Sequence, residues 1–186
     1  EIKNLKANVV RGKDGKLNID DLAGGDKKAD APKADSGQVK IDIDHVTLEN
    51  AALTYDDRHA GSKYALSKVN LKTGRIASGV PGKIDLSFLA QSDKPKLNLE
   101  AALKTGLTFD LDKQHYVLDG MDFSAKGTAA GISNLAASAK GDVDAKLQSK
   151  ELSVSKLAIA ATGKPEAGGD LNVKFDAPKL NVTKDK

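Results

Sequence analysis

Tyr64-Ala65-Leu66-Ser67-Lys68-Val69-Asn70-Leu71-Lys72-Thr73-Gly74 is the stretch that decides the fold. Apolar and polar residues alternate on either side of Ser67-Lys68, with the period of a half-buried strand and not that of an amphipathic helix. The step at Ser67-Lys68 breaks the alternation. An unbroken strand would throw Val69 and Leu71 onto the face opposite Tyr64 and Leu66. A β-bulge there returns both halves to one face, bends the strand and increases its twist. Two short strands joined by a loop at the same point also satisfy the pattern; the bulge is the favoured reading.

The unit recurs. Tyr116-x-Leu118-x-x-Met121-x-Phe123-x-Ala125-Lys126-Gly127 begins 52 residues after Tyr64, and Leu152-x-Val154-x-x-Leu157-x-Ile159-x-Ala161-Thr162-Gly163 begins 36 residues after Tyr116. Their steps are Asp119-Gly120 and Ser155-Lys156. A looser copy is Ile41-x-Ile43-x-x-Val46-x-Leu48, stepping at Asp44-His45. Three copies follow a strand and a polar turn: Leu53 and Tyr55 with Asp56 to Gly61, Leu107 to Leu111 with Asp112 to His115, and Val143 to Leu147 with Gln148 to Lys150. The expected fold is all-β: a long antiparallel meander of bulged hairpins, strongly curled into an open groove or half-barrel, with few or no helices.

Alternation continues at Val39, Ile41 and Ile43, at Ile84, Leu86 and Phe88, at Leu97, Leu99 and Ala101, and at Leu107, Phe109 and Leu111. It returns at Leu135, Ala137 and Ala139, at Val143, Ala145 and Leu147, and at Leu171, Val173 and Phe175. A short helical turn is admitted only around Ala129 to Leu135. Residues 1–22 read as an N-terminal β-hairpin, its second strand carrying Leu17 and Ile19, closed at Lys13-Asp14-Gly15-Lys16 where Asp-Gly supplies positive φ. Residues 23–37 hold no large apolar side chain and are expected to be a flexible linker, because nothing there offsets the entropy of ordering. Residues 38–186 form the curled sheet domain. The chain starts at Glu1 inside an alternating segment and is expected to be an excised piece of a longer protein.

Composition narrows the function. The chain of 186 residues is 39% hydrophobic but only 4% aromatic, so its apolar payload is aliphatic. Its 29 basic and 26 acidic residues are spread without long runs of one sign, which describes a solvated face and not a nucleic-acid patch. Without cysteine there is no disulfide, thiolate metal site or cysteine nucleophile. No apolar window is long enough to span a bilayer.

Candidate chemistry is sparse. His45 sits at a bend and His59 and His115 in polar turns, none at metal-ligand spacing. Asp110, Asp112 and His115 form the best metal candidate, but carboxylates on the wet side of a strand explain them equally well. Asp42 and Asp44, and Asp142 and Asp144, lie at i, i+2 on polar strand faces, where neither member is desolvated as general acid–base work requires. Gly79-Val80-Pro81-Gly82 is a turn signal, not a phosphate cradle. The expectation is a non-enzymatic protein with no cofactor. What remains is the apolar stripe: strands of about six to eight residues give a sheet roughly 20–25 Å wide, and about ten of them extend it to ~50 Å.

Gly15-Lys16-Leu17-Asn18-Ile19-Asp20-Asp21-Leu22 stands ahead of the variable stretch. Val46-Thr47-Leu48-Glu49-Asn50-Ala51-Ala52-Leu53-Thr54-Tyr55-Asp56-Asp57 is followed by a turn and the Tyr64–Gly74 unit, and Tyr116-Val117-Leu118-Asp119-Gly120-Met121-Asp122-Phe123 repeats the signature. In this order, over nearly the whole chain, they resemble the AsmA family of bacterial envelope proteins. Ile19 departs from the tryptophan that many relatives carry. The resemblance implies a periplasmic part of a protein anchored in the inner membrane by a helix absent here. It also implies a link to outer-membrane biogenesis and an architecture similar to bridge-like lipid-transfer proteins.

On that basis the expected function is to bind or conduct phospholipid acyl chains along a hydrophobic β-groove between the two membranes. The lining candidates are Leu53, Tyr55, Tyr64, Leu66, Val69, Leu71, Phe88, Leu99, Phe109, Tyr116, Leu118, Met121, Phe123, Val154, Leu157 and Ile159. The expected partners are phospholipid, membranes and other envelope proteins, with no nucleic acid. The alternative is a structural or assembly factor for outer-membrane proteins, with a closed β core and no groove.

Overall fold

The computed structural model describes residues 1–19 and 41–183, so the linker expected at 23–37, and Val39, lie outside the described residues. The described secondary structure is all β: β1 (Ile2–Lys3), β2 (Lys6–Arg11), β3 (Asp42–Ile43), β4 (Thr47–Asp57), β5 (Ser62–Thr73), β6 (Ile76–Ala77), β7 (Gly82–Ser92), β8 (Leu97–Asp110), β9 (His115–Ala129), β10 (Ile132–Lys146), β11 (Glu151–Pro165) and β12 (Leu171–Thr183). From β4 onward the main sheet is an antiparallel meander, β4-β5-β7-β8-β9-β10-β11-β12, in which every strand pairs with its successor in the sheet. β1 and β2 add to the outer side of β4 in parallel, completing ten strands, and the hydrogen-bonded path does not close on itself.

Register settles the steps. In β5, Ser67 lies opposite Leu89 and Asn70 opposite Ser87, so two residues of β5 face one of β7 and the bulge falls at Lys68. Leu118 and Met121 of β9 lie opposite Val143 and Gly141, so Asp119-Gly120 is the extra pair. In β11 Ser155 lies opposite Asp142 and Ala158 opposite Lys140, so Lys156 and Leu157 together face Gly141 and the bulge falls one residue later than the expected Ser155-Lys156. Lys68, Gly120 and Lys156 take the left-handed conformation, with φ of 49°, 58° and 53°.

The looser copy behaves differently. Asp44-His45 is not a bulge within a strand but the connection between β3 and β4. β3 leaves the main sheet for β6, and the Arg75 guanidinium holds Asp42 in a two-pronged ion pair, Nε to Oδ1 at 2.9 Å and Nη2 to Oδ2 at 2.8 Å. The bulge of this region falls later, at Glu49-Asn50 in β4, between Leu48 opposite Leu71 and Ala51 opposite Val69. A further one occurs at Ser133-Asn134 in β10. No helical turn forms around Ala129 to Leu135. Ala130 and Gly131, with φ of 51° and 74°, make the tight β9–β10 turn, the primed type whose twist suits a hairpin.

The N-terminal segment joins the sheet edge. The Asp14-Gly15 turn forms, closed by Gly12 N–H to the Lys16 carbonyl at 2.7 Å, but the second strand reduces to a single bridge between Leu17 and Arg11. Asn18 then does what a strand would do. Its N–H donates to the Val10 carbonyl at 2.9 Å, its Oδ1 accepts from the Val10 N–H at 2.7 Å, and its Nδ2 donates to the Asn8 carbonyl at 3.0 Å.

Bulges free backbone groups that need partners. Asn70 serves two of them: its Oδ1 accepts from the Asn50 N–H at 3.0 Å and its Nδ2 donates to the Lys68 carbonyl at 2.8 Å. Asp142 serves one more, accepting from the Gly120 N–H at 2.8 Å, while its other oxygen pairs with the Lys156 ammonium at 2.9 Å. Buried Thr105 donates its hydroxyl to the Asp119 carbonyl at 3.3 Å.

The Gly120 N–H first, and Lys156 second, hold the Asp142 carboxyl below its ordinary range. Because the folded value is the lower one, this stabilisation is whole above the unfolded aspartate value of about 4 and fades as pH falls through the folded value. Asp142→Ala is expected to cost about 1 kcal/mol at neutral pH. Thermal melts of variant and wild type should converge on acidification; a gap independent of pH refutes the assignment. Lys68 carries a left-handed backbone that costs a side-chain-bearing residue about 1 kcal/mol. Lys68→Gly is therefore expected to stabilise by roughly 0.5–1 kcal/mol in urea titrations, and Lys68→Val to destabilise.

Candidate functional site

Following the register across the strands sorts the side chains onto two faces. Phe88 lies opposite Ala101, which lies opposite Ala125, then Ala137, Ala161 and Val173. The neighbouring row runs Leu71, Leu86, Leu103, Phe123, Ala139, Ile159 and Phe175. Beyond the bulges, Leu107, Leu118, Val143, Val154 and Leu180 form another, with Phe109, Tyr116, Ala145, Leu152 and Val182 beside it. One face is thus apolar from β4 to β12.

Every lining candidate named from the sequence stands on this face. Leu53 pairs with Leu66, and Tyr55 with Tyr64, their rings 6.4 Å apart at 24°. Val69 lies opposite Ala51, and Leu99 opposite Gly127. Met121 lies opposite Gly141, and Leu157 opposite Ala177. Phe88, Leu71, Phe109, Tyr116, Leu118, Phe123, Val154 and Ile159 fall in the rows above.

The same face holds residues outside that set: Leu48, Ile84, Leu86, Leu97, Leu103, Leu107, Leu135, Val143, Leu152, Leu171, Val173 and Phe175, most of them in alternating runs already visible in the sequence. Leu180 and Val182 were the least visible. Ala177-Pro178-Lys179-Leu180 is one more two-residue step, since Ala177 and Leu180 lie opposite Leu157 and Val154.

No second layer covers the face among the described residues. Every substantial contact between elements joins hydrogen-bonded neighbours. Among the described residues no large side chain is wholly buried; Phe109 is 7% exposed, whereas Phe175 reaches 47% and Val182 61%. An open apolar face of this extent goes beyond scattered surface residues.

The other face is polar and ordered by charge. Lys72, Asp85, Lys104, Asp122 and Lys140 stand opposite one another on successive strands. Lys104 reaches Asp85 at 3.4 Å and Lys140 reaches Asp122 at 3.0 Å. Several depressions open on this side. One, of about 600 Å³, lies among Lys72, Lys83, Asp85, Lys104 and Asp119; another, of about 380 Å³, lies among Lys68, Asn70, Ser87, Glu100 and Lys126. Long lysine side chains leave such gaps.

The metal candidate does not assemble. Asp110 is held by Lys113, whose N–H and ammonium approach at 3.0 and 3.1 Å, while His115 turns to Asp144 at 2.8 Å. Among the described residues no three acidic or imidazole groups converge as a metal site. His59 contacts the Lys13 carbonyl at 3.2 Å, and Asp57 beside it accepts the His59 and Ala60 N–H groups at 3.0 and 2.9 Å, stabilising the β4–β5 turn. These acid groups act in turns and ion pairs.

An open meander of bulged hairpins, apolar on one side and charged on the other, defines a class of extended repeat-like β protein. Comparison with known families assigns it further: the profile of the AsmA family matches residues 1–171, and the chain belongs to that family. Comparison with curated proteins, and with solved structures, returned no match. Family membership associates the chain with the bacterial envelope and with envelope biogenesis. Among the described residues there is no helix long and apolar enough to cross a membrane.

Gly127 marks how closely the backbones of β8 and β9 approach each other. It has φ 139°, and a Cβ there would run into the carbonyl oxygen of Asn98 in β8. Gly127→Ala is expected to lower stability by about 2–4 kcal/mol in urea denaturation, since clash and backbone strain add. A loss below about 0.5 kcal/mol, the scale of an ordinary surface substitution, would contradict this packing.

Proposed function

We propose that this chain is a periplasmic segment of an outer-membrane biogenesis protein that binds or conducts phospholipid acyl chains on its apolar face. The observation that carries the reading is one continuous, uncovered apolar face, running across the strands from β4 to β12. It acts by binding and not by catalysis. Bulges in β4, β5, β9, β10 and β11 bend and twist their strands, and we infer that they curl the sheet toward the apolar side into an open groove or half-barrel. Acyl chains lie against Leu, Val and Phe side chains while headgroups stay in water at the rim.

Leu71 and Phe123 occupy one row in the middle of the face. Leu71→Asp or Phe123→Asp places a charge where an acyl chain would lie, and is expected to reduce co-purified phospholipid in native mass spectrometry by at least about tenfold. Lys126→Ala, on the polar face, should leave it unchanged. A photo-crosslinker at Leu99 should label lipid, and labelling undiminished by the aspartates would sink the proposal.

A further inference from the structure

Among the described strands of the main sheet, charge enters the apolar face in one place. Register sets Arg11 of β2 opposite Asp57 of β4, beside the row Val9, Tyr55, Tyr64 and Ser92. Asp57 is buried and already taken up: Oδ1 accepts the His59 and Ala60 N–H groups, and Oδ2 lies 3.4 Å from both Arg11 Nη1 and the Tyr55 hydroxyl. Arg11 is not. Its side chain is 39% exposed, and of its five N–H donors only one on Nη1 is engaged, at a long distance. Tyr64, stacked on Tyr55, is half-exposed, and directly opposite it Ser92 buries an Oγ with no hydrogen-bond partner. A buried hydroxyl left unpaired is unfavourable, so this corner holds donors in want of acceptors.

Resting on the acyl-chain reading above, we propose that Arg11, Tyr64 and Ser92 form a headgroup site for a phospholipid at this end of the face. Arg11 takes the phosphate on its free guanidinium nitrogens, the fork that suits a phosphate's paired oxygens, and Asp57 holds it in position. The Tyr64 and Ser92 hydroxyls donate to the ester carbonyls. β4 and β5 stand between β2 and β7, so the backbones of Arg11 and Ser92 lie roughly 14 Å apart. That is too far for one phosphate to bridge, but it suits a phosphate at the tip of an extended arginine and esters nearer Tyr64. The acyl chains then continue over Leu97, opposite Ser92, and over Leu66 and Leu99, which both lie opposite Ala90.

Two lipids with the same chains test this by native mass spectrometry: dioleoyl phosphatidylglycerol, and dioleoylglycerol, which lacks the phosphate. The wild type should bind the phosphatidylglycerol at least about tenfold more tightly. Arg11→Gln should reduce it to the level of dioleoylglycerol and leave dioleoylglycerol itself unchanged, while Arg11→Lys should keep part of the preference, with circular dichroism confirming that each variant is folded. Ser92→Ala removes the unpaired hydroxyl, so it should raise the melting temperature of the lipid-free chain yet weaken both lipids by about three- to tenfold. Equal binding of the two lipids by the wild type, or a preference untouched by Arg11→Gln, overturns the headgroup site and leaves the acyl-chain reading standing. Wild type that binds neither lipid overturns both. Displacement of the lipid by glycerol 3-phosphate at equal concentration makes this a site for soluble phosphates, and that too overturns the proposal.

Discussion

The two-residue step is the constraint on which the rest of the structure depends. A strand of twelve to fifteen residues with strict alternation would be straight and would keep one face throughout, but the apolar residues of these strands change phase midway. Only a bulge reconciles that phase change with a single apolar face, as at Lys68, Gly120 and Lys156. The alternative, leaving Val69, Leu71, Met121 and Phe123 on the charged side, would expose large side chains beside lysines and leave the other face patchy. Contact with same-face neighbours outweighs the local strain of a left-handed residue, because each bulge returns several apolar side chains to the shared face, each gaining part of the about 1.5–3 kcal/mol of full burial, against a strain of about 1 kcal/mol at a single residue.

The bulges succeed because the polar face attends to them. Asn70 and Asp142 each stand between two bulged strands and supply hydrogen bonds that the interrupted ladder no longer provides. The chain solves the same problem with an amide toward the β4 end of the sheet and a carboxylate toward the β12 end, both on the polar face. Only the carboxylate makes the arrangement sensitive to acid.

Much of this was legible in the residues. The period of two, the hairpin turns and three of the bulges follow from where Leu, Val, Tyr and Phe stand. Asp44-His45 misled because the pattern says that a step is needed, not whether the strand continues through it; the Arg75–Asp42 pair and β6, remote in sequence, decide that β3 leaves the sheet. The parallel docking of β1 and β2 on β4 was hidden for a related reason. Parallel neighbours need no turn between them, so no local signal announces the pairing. Asn18 was read as part of a strand, yet it performs a strand's hydrogen bonding with its side chain. The apolar face was legible residue by residue and its openness was expected from the bulged repeats; what the structure adds is that no second layer stands over it among the described residues.

The row Lys72, Asp85, Lys104, Asp122 and Lys140 bears on how such a sheet avoids mistakes as it assembles. Hydrophobic patterning rejects a slip of one residue, which turns the strand inside out, but it is blind to a slip of two. Slipping β8 by two residues against β7 would put Asp85 opposite Ala102 or Gly106 in place of Lys104, and the oily side would look unchanged. The charged row notices. It works as a proofreading mark, discriminating between alignments that burial treats as equals, and screening it with salt should let misaligned hairpins survive longer before they are corrected.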